Sequence, residues 1–327
     1  MPGMRLRSSR PRPTSIELCA GCGGMSLGLE AAGFSPLLQV ERDAQCVRTL
    51  ALNGYTEEKS VLHADLATVD FAPYRGRVDL VAGGVPCQPF STSGLSNGAN
   101  DERNLFEHAV RCVRECAPRA FLFENVAGLL RARFAEYLQG VLARLRALGY
   151  AVECHLTDAS LFGCPQRRRR CLIVGRRDGV AYVPPTPTTP TPPTVRQMMT
   201  DLGPPDGENA HVLHGRLPRE YKQHGPSDLD RPAKTVLSGP NGPGGGKNCV
   251  RLDDGTMRFF TIRELCRVQG FPDTFVPSPV WTQAMKQLGN AAPPLLIAAW
   301  ARGLLPARRA VSRSAARAAP PAATADA

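Results

Sequence analysis

No run of 18 apolar residues occurs in this 327-residue chain. The most apolar C-terminal stretch, Leu295 to Leu305, is broken by Arg302, which argues against a membrane span. An export signal is missing too: four arginines precede residue 13, but Glu17 interrupts the short apolar segment that follows, so a cytoplasmic protein is expected. The eleven cysteines are odd in number and show no paired spacing, which excludes a disulfide scaffold and reads as reduced thiols. Two local pairs, Cys19-x-x-Cys22 and His211-x-x-His214, lack the second half that a four-ligand site requires, so no metal is expected. No internal repeat of solenoid period occurs.

What is present is ordinary globular material. The chain has 43% apolar residues, 31 Gly and 30 Pro, enough for one large domain and a smaller one. The net charge of +11 is uneven: residues 1–13 hold four Arg and no acid, and residues 303–327 hold four Arg against one Asp. Between them, Arg167, Arg168, Arg169 and Arg170 form the densest basic run. Such a balance suits a polyanionic partner, because each cation that neutralises a phosphate releases a counterion; a basic tail can equally be a solubilising extension.

From Ser15 to Val183 short apolar runs alternate with helical-looking segments. Strands are expected at Ser15–Cys19, Pro36–Val40, Val78–Ala82, Ala120–Phe123, Val152–Leu156 and Cys171–Gly175. Helices are expected near 25–32, 43–53, 102–116 and 130–148. This βαβ series predicts an α/β fold with a mostly parallel sheet, its last two strands closing one edge as an antiparallel pair. Residues 184–194, PPTPTTPTPPT, favour extended chain and mark a boundary. Beyond them, 195–257 is rich in Gly, Pro and polar residues, including GPNGPGGG at 239–246, and reads as a small loop-rich domain. Helical character returns at Ile262–Gln269 and around Leu295–Leu304, before a tail expected to be disordered.

Four segments carry residue types suited to chemistry. In ELCAGCGGMSLGLE, Gly21, Gly23 and Gly24 let the backbone turn sharply and approach a ligand, although an ordinary strand-to-helix turn would look the same. Glu41 ends the next strand, where an α/β nucleotide site places an acid for ribose hydroxyls; a solvated loop carboxylate is the plainer alternative. In GGVPCQPFS, Cys87 sits on a loop at the carboxyl edge of the sheet, with Pro on either side of Cys-Gln constraining the backbone, which suits an activated thiol. In FLFENV, Glu124 and Asn125 reach the same edge, where a partly desolvated carboxyl could donate a proton or merely cap the following helix.

Together with Glu41-x-Asp43, Ala64-Asp65-Leu66, the Asp101-x-Arg103 loop end, PQRRRR at 165–170, RPAKTV at 231–236, RELCRVQGFPDTF at 263–275 and QLGNAAPP at 287–294, these segments resemble the DNA (cytosine-5)-methyltransferases over residues 14–302. The resemblance implies a Rossmann-like, S-adenosylmethionine-dependent methyltransferase domain at 14–183, a target recognition domain at 184–260 and a segment at 261–302 that folds back onto the first domain. The tails at 1–13 and 303–327 are left as disordered. Cytosine carbon 5 is a poor nucleophile, so the family adds a thiolate, here Cys87, to carbon 6 of a flipped base and makes an enamine that accepts the methyl group. Glu124 would assist at ring nitrogen 3. Arg168 and Arg170 match the family's Gln-x-Arg-x-Arg pattern with Gln166 and count as catalytic, since an Arg there would contact the base's carbonyl and help hold Glu124, although four consecutive arginines leave the offset open; Arg167 and Arg169 read as a solvated face.

By the same resemblance the cofactor, S-adenosylmethionine, is held by Gly21, Gly23 and Gly24 at its methionine end, by Glu41 at the ribose, by Asp65 at the adenine amino group and by Asn290 at the amino-acid end. Substrate contacts fall to Gln88, Ser91, Arg103, Asn125, Gln166 and Thr235, with residues 88–104 as a closing lid and Lys222, His224, Lys234 and Lys247 as further DNA contacts or loose surface charges. Three positions depart from the family: Cys19 stands where Phe is usual, Arg42 where an apolar or aromatic residue is common, and Val85 where Phe or Pro is commoner. The expected partner is double-stranded DNA, with a cognate restriction endonuclease encoded nearby, and the enzyme is expected to be a monomer without appended regulatory domains. A transfer-RNA methyltransferase on the same motifs lacks support, because Cys-Phe-Thr is absent from 184–260. A catalytically inactive DNA-binding homologue sits poorly with both Cys87 and Glu124, and a nicotinamide oxidoreductase leaves PCQ and ENV unexplained.

Overall fold

The computed structural model describes residues 11–85, 105–215, 217–218, 225–238 and 248–306. The expected disordered C-terminal tail beyond 306, most of the N-terminal tail, Cys87, the whole 88–104 segment and the GPNGPGGG stretch lie outside the described residues.

Seven strands form one sheet: β1 (Thr14–Leu18), β2 (Ser35–Glu41), β3 (Val61–His63), β4 (Leu80–Gly83), β5 (Ala120–Val126), β6 (Ala151–Asp158) and β7 (Arg169–Arg176), in the order β3-β2-β1-β4-β5-β7-β6. The pairings β2–β3, β1–β2, β1–β4 and β4–β5 are parallel, whereas β7 runs antiparallel to both β5 and β6. The expected antiparallel pair at one edge is therefore present. Its cause is the connection: β6 and β7 are joined through a 3-10 turn at Ala159–Phe162, too short for the crossover that parallel neighbours require.

Alternation along the strands sends side chains to two cores. Ile16, Leu18, Val81, Phe121, Phe123 and Ile173 pack against α3 (Phe106–Cys116) and α4 (Ala135–Ala147). Leu80, Ala82, Leu122, Leu172 and Val174 face α1 (Gly24–Ala32) and α8 (Pro294–Arg302). Burying a Leu, Val or Phe contributes about 1.5–3 kcal/mol, so a sheet apolar on both faces needs helices on both. Between α1 and α8 the contact is close because residue 28 is glycine: a Cβ there would stand 2.6 Å from Ile297 Cβ.

A third core joins α5 (Val195–Met199), α6 (Ile262–Val268) and α7 (Trp281–Asn290) to a three-stranded sheet of β8 (Ser227–Asp228), β9 (Cys249–Arg251) and β10 (Met257–Phe259). Val195, Val236, Val250, Phe260, Leu265, Phe275 and Leu288 are buried together. Residues 262–288 thus complete the hydrophobic centre of the smaller region, and the return onto the large sheet is made by Ala291, Ala292 and α8. Both α5 and α6 open with capping boxes, Thr194 with Gln197 and Thr261 with Glu264. The Pro/Thr segment at 184–194 forms neither helix nor strand and is tied to the large domain by the Thr188 and Thr189 amides, which donate to Leu161 O.

The sequence reading expected neither β3 nor α7, and within the loop-rich 195–257 it expected neither α5 nor the strands β8, β9 and β10. β3 exposes Leu62 and His63 and is three residues long, so no apolar run announces it. α7 buries only Ala284, Met285, Gln287, Leu288 and Gly289, and its polar residues obscure the helical period.

Candidate active site

The chain leaves β1 through a turn in which Cys19 (φ 57°), Gly21 (φ 57°) and Gly23 (φ 94°) all adopt left-handed backbone. Glycine takes this region without a Cβ penalty. The Gly21 amide donates to Glu41 Oε2 at 2.7 Å, and the Asp43 amide donates to Glu41 Oε1 at 2.8 Å, so one carboxylate ties the glycine turn to the start of α2 (Ala44–Leu52). The next strand end is brought alongside when the Ala64 amide donates to Glu41 O. Asp65 follows. It accepts from the Ala67 amide at 2.9 Å and from Arg42 Nη1 at 3.4 Å; the backbone bond first, with Arg42 beside it, holds its carboxyl below the usual range.

A Cβ at Gly21 would meet nothing within 4 Å, which leaves open space before the backbone beside the Glu41 carboxylate, with Asp65 just past the neighbouring strand end. Two carboxylates suit the hydroxyl and amino donors of a nucleoside, so these residues fit the expected cofactor. At Gly24 the reason for glycine differs: a Cβ would lie 2.4 Å from Ala292 O, so this position is needed to seat the returning C-terminal segment. Asn290 is exposed, and its Oδ1 accepts from Ser238 Oγ at 2.5 Å.

At the carboxyl end of β5, Glu124 Oε1 meets Arg170 Nε at 2.6 Å, with both side chains about nine-tenths buried at 9% and 11% exposure. Arg170 reaches it from β7, where it pairs with Val126 and donates through Nη1 to Arg169 O. On the other side, a Cβ at Gly84 would be 3.7 Å from Glu124 Oε2, so the GGVPCQ segment begins against this carboxyl. Asn125 Nδ2 donates to Val85 O at 2.9 Å, while its Oδ1 accepts from the Val126 amide. Expected as a substrate contact, Asn125 is 4% exposed and instead fastens the backbone two residues before Cys87.

The arginine offset is settled by alternation. Arg167 and Arg169 are exposed, and Arg168 and Arg170 are buried. The two buried ones differ in partner. Arg168 donates to Val236 O, Gly289 O and Ala291 O at 3.1, 2.7 and 3.0 Å, so it fixes the returning chain and leaves the ion pair with Glu124 to Arg170. Gln166, expected as a DNA contact, has no exposed surface; it donates to Val268 O and Gln269 Oε1 and accepts from the Val236 amide. Thr235 Oγ1 donates to Arg167 O at 2.6 Å, and Lys234 Nζ to Gly225 O at 2.8 Å. Of the other expected contacts, Cys87, Gln88, Ser91, Arg103, Lys222, His224 and Lys247 lie outside the described residues.

His211 Nδ1 meets Thr261 Oγ1 at 2.8 Å, and Cys22 is buried in the third core; no cluster of three or more metal-ligating side chains occurs among the described residues. Several bracing residues gave no signal in the sequence. Thr49 Oγ1 donates to Gln287 Oε1 and Lys286 Nζ to Asp43 Oδ2, fastening α2 to α7. Only proximity in three dimensions pairs residues 238 and 243 positions apart.

Similarity to known proteins identifies the family. A family model, "C-5 cytosine-specific DNA methylase", matches residues 14–224 and 206–305. The chain belongs to that family. It is accordingly an enzyme of DNA cytosine-5 methylation, with DNA as its substrate. Among curated relatives, the type II methyltransferase M.NgoMIV of Neisseria gonorrhoeae is 34% identical over 90% of this chain and 97% of its own. The type II methyltransferase M.NaeI of Lentzea aerocolonigenes is 36% identical over 85% of this chain and 71% of its own. Among solved structures, a Spodoptera frugiperda DNMT2 variant superposes with TM-score 0.70 at 17% identity, covering 89% of this chain and 99% of that one. An S. pombe Dnmt2 methyltransferase gives TM-score 0.68 at 18% identity, with 90% and 98% covered. At these identities the two structures bear on the fold alone, which they share with this C-5 cytosine methylase.

Proposed function

We propose that this chain transfers a methyl group from S-adenosylmethionine to carbon 5 of a cytosine extruded from a short recognition sequence in duplex DNA. The Cys87 thiolate adds to carbon 6, Glu124 stabilises the charge that develops at ring nitrogen 3, and Arg170 holds Glu124 in place. Carbon 5 becomes nucleophilic through that addition; after methylation, loss of its proton expels the sulfur and frees the enzyme. S-adenosylmethionine, when bound, supplies the electrophilic methyl group. The glycine turn at 21–24 and Glu41 hold it, with Asp65 at the adenine amino group and Asn290 at the amino-acid end.

The observation that carries this reading is the nearly buried Glu124–Arg170 pair, which lies against Gly84 at the start of the segment leading to Cys87. A buried carboxylate with a single guanidinium partner is costly to keep for stability alone. Residues 184–260 read the target sequence, braced against PQRRRR by Ala233 and Val236. The likeness to type II methyltransferases supports a cognate restriction endonuclease working beside it, and we propose that the enzyme acts as a monomer in the cytoplasm.

The test is duplex DNA carrying 5-fluorocytosine, in which fluorine blocks the elimination that releases the enzyme. The wild-type protein should form a covalent adduct that survives denaturation. Cys87→Ala should form none and transfer no labelled methyl group; full activity in that variant refutes the nucleophile.

A further inference from the structure

Beneath the glycine turn lies a buried carboxyl for which the reaction has no use. Glu17 sits at the centre of β1, between Gln39 of β2 and Ala82 of β4, and is 2% exposed. Its neighbours Ile16 and Leu18 face the α3 and α4 core, so alternation sends Glu17 to the opposite face, under the first turn of α1. There its Oε2 stands 2.5 Å from Ser26 Oγ. Gln39 Nε2 donates to that same hydroxyl at 2.7 Å, and Ser60 Oγ donates to Gln39 Oε1 at 2.7 Å. This chain of side chains joins β1, α1, β2 and the start of β3 directly behind the turn. Glu17 Oε1 is buried and has no hydrogen-bond partner.

That orphaned oxygen bears on the charge state. An ionised carboxylate spreads its charge over two oxygens, and here only one meets a hydrogen-bonding group. The nearest charges are of like sign: Glu30 on α1 and Glu41 on β2 both oppose ionisation, and Tyr55, Cys19 and Cys22 are the other titratable groups around it. Ala82, its neighbour on β4, brings no charge.

We propose that Glu17 is a positioning residue for cofactor binding: as a neutral carboxyl it seats the first turn of α1 on β1, and its ionisation unseats the glycine turn and weakens the hold on the cofactor. Burial, before any other cause, pushes its pKa up to about 8, which places the switch just above neutrality. In the ionised form the carboxylate needs donors that this pocket lacks. It gains them only by moving toward water or admitting it, and either displaces Ser26, three residues beyond Gly23. The Gly21–Glu41 contact across the turn then loses its register. Ser26 touches no ligand in this scheme, and Glu17 acts only through it.

The inference rests on the glycine turn being the cofactor site, so the experiment separates the two ideas. The dissociation constant of S-adenosylhomocysteine is measured by calorimetry between pH 6.5 and 9.5 for wild type, Glu17→Gln, Glu17→Ala and Ser26→Ala. If only the neutral form binds, wild-type affinity falls about tenfold per pH unit above the switch. Glu17→Gln should keep the wild-type affinity at pH 7 within about twofold and lose this fall, since the amide stays uncharged. The ligand's own amino group titrates identically in both proteins and cancels in their ratio. Ser26→Ala removes a bond that favours ionisation, so its fall should begin at higher pH. A Glu17→Gln profile that falls like wild type, a loss at pH 7 as large as in Glu17→Ala, or an unmoved onset in Ser26→Ala overturns the proposal. Should Glu17→Gln not fold, the Ser26→Ala shift and an infrared difference band for a protonated carboxyl at pH 7, assigned by its loss above pH 9, decide the matter. A folded wild type that binds no S-adenosylhomocysteine at pH 7 refutes the cofactor site itself, and this inference with it.

Discussion

Replacing Arg168 by methionine separates two arginines that look alike in sequence. Its guanidinium donates to three backbone carbonyls, and the side chain is 1% exposed. Hydrogen bonds to a charged donor contribute about 1.5–3 kcal/mol each, and a buried acceptor left bare costs about 1–3 kcal/mol. Three such bonds would sum to more than the shared geometry permits, because Gly289 and Ala291 are neighbours and relax together. Methionine also fills much of the volume and needs no partner. A loss of about 4 kcal/mol remains, from a total that is typically 5–15 kcal/mol. For a chain of 327 residues the melting temperature should fall by roughly 6 °C. The assay is denaturant and thermal unfolding beside single-turnover methyl transfer. Arg168→Met should be severely destabilised, and whatever remains folded should bind cofactor poorly through the loosened 289–292 segment. Arg170→Met should lose transfer by a larger factor than it loses stability, because Glu124 is left without its partner. An Arg168→Met protein within about 1 kcal/mol of wild type, yet unable to methylate, would refute the assignment and return Arg168 to the base.

Asn125→Ala should lower the rate of adduct formation on 5-fluorocytosine DNA while costing only about 1–2 kcal/mol of stability, because it frees the Val85 carbonyl near Cys87; unchanged adduct kinetics would show that the loop needs no such anchor. Gly28→Val should destabilise by about 3 kcal/mol or more, since its Cβ would fall 2.6 Å from Ile297 Cβ and 2.7 Å from Pro294 O, and Ile297→Ala should recover only the side-chain part. Stability should also depend on Glu17. Its carboxyl rises from 4.5 in the open chain to about 8 when folded, so between those values folding takes up a proton and stability falls as pH rises, flattening above 8. The full span amounts to about 5 kcal/mol, and Glu17→Gln should remove that slope from unfolding curves at pH 5 to 8; a slope that persists would assign it to other groups. Exchanging residues 184–260 for those of a relative should move the methylated sequence, read by bisulfite sequencing; an unchanged sequence would place the reader elsewhere.

Much of the large domain was legible because its determinants are local. Six of the seven strands of the main sheet and helices α1 to α4 follow from apolar runs and spacing, and the antiparallel edge follows from a short connection. The motif residues were legible as well, since the glycine turn, Glu41, GGVPCQPFS and FENV each couple a backbone requirement to a chemical group within a few positions. Asn125, Gln166 and Arg168 meet backbone or side-chain groups of their own chain, which the sequence did not signal, for a common reason. A polar side chain within a motif looks the same whether it meets a ligand or a carbonyl of its own chain.

The amino-acid sequence alone thus determined the α/β class, the family and the motifs from which the proposed chemistry is argued, because these depend on neighbours along the chain. Tertiary structure alone decided which arginine holds Glu124, what Asn125 fastens, and where the core of the smaller region ends. It also revealed a carboxyl buried behind the glycine turn. Each of these depends on which carbonyl, hydroxyl or charge lies within about 3 Å, and such distances between residues remote in the chain exist only once it has folded.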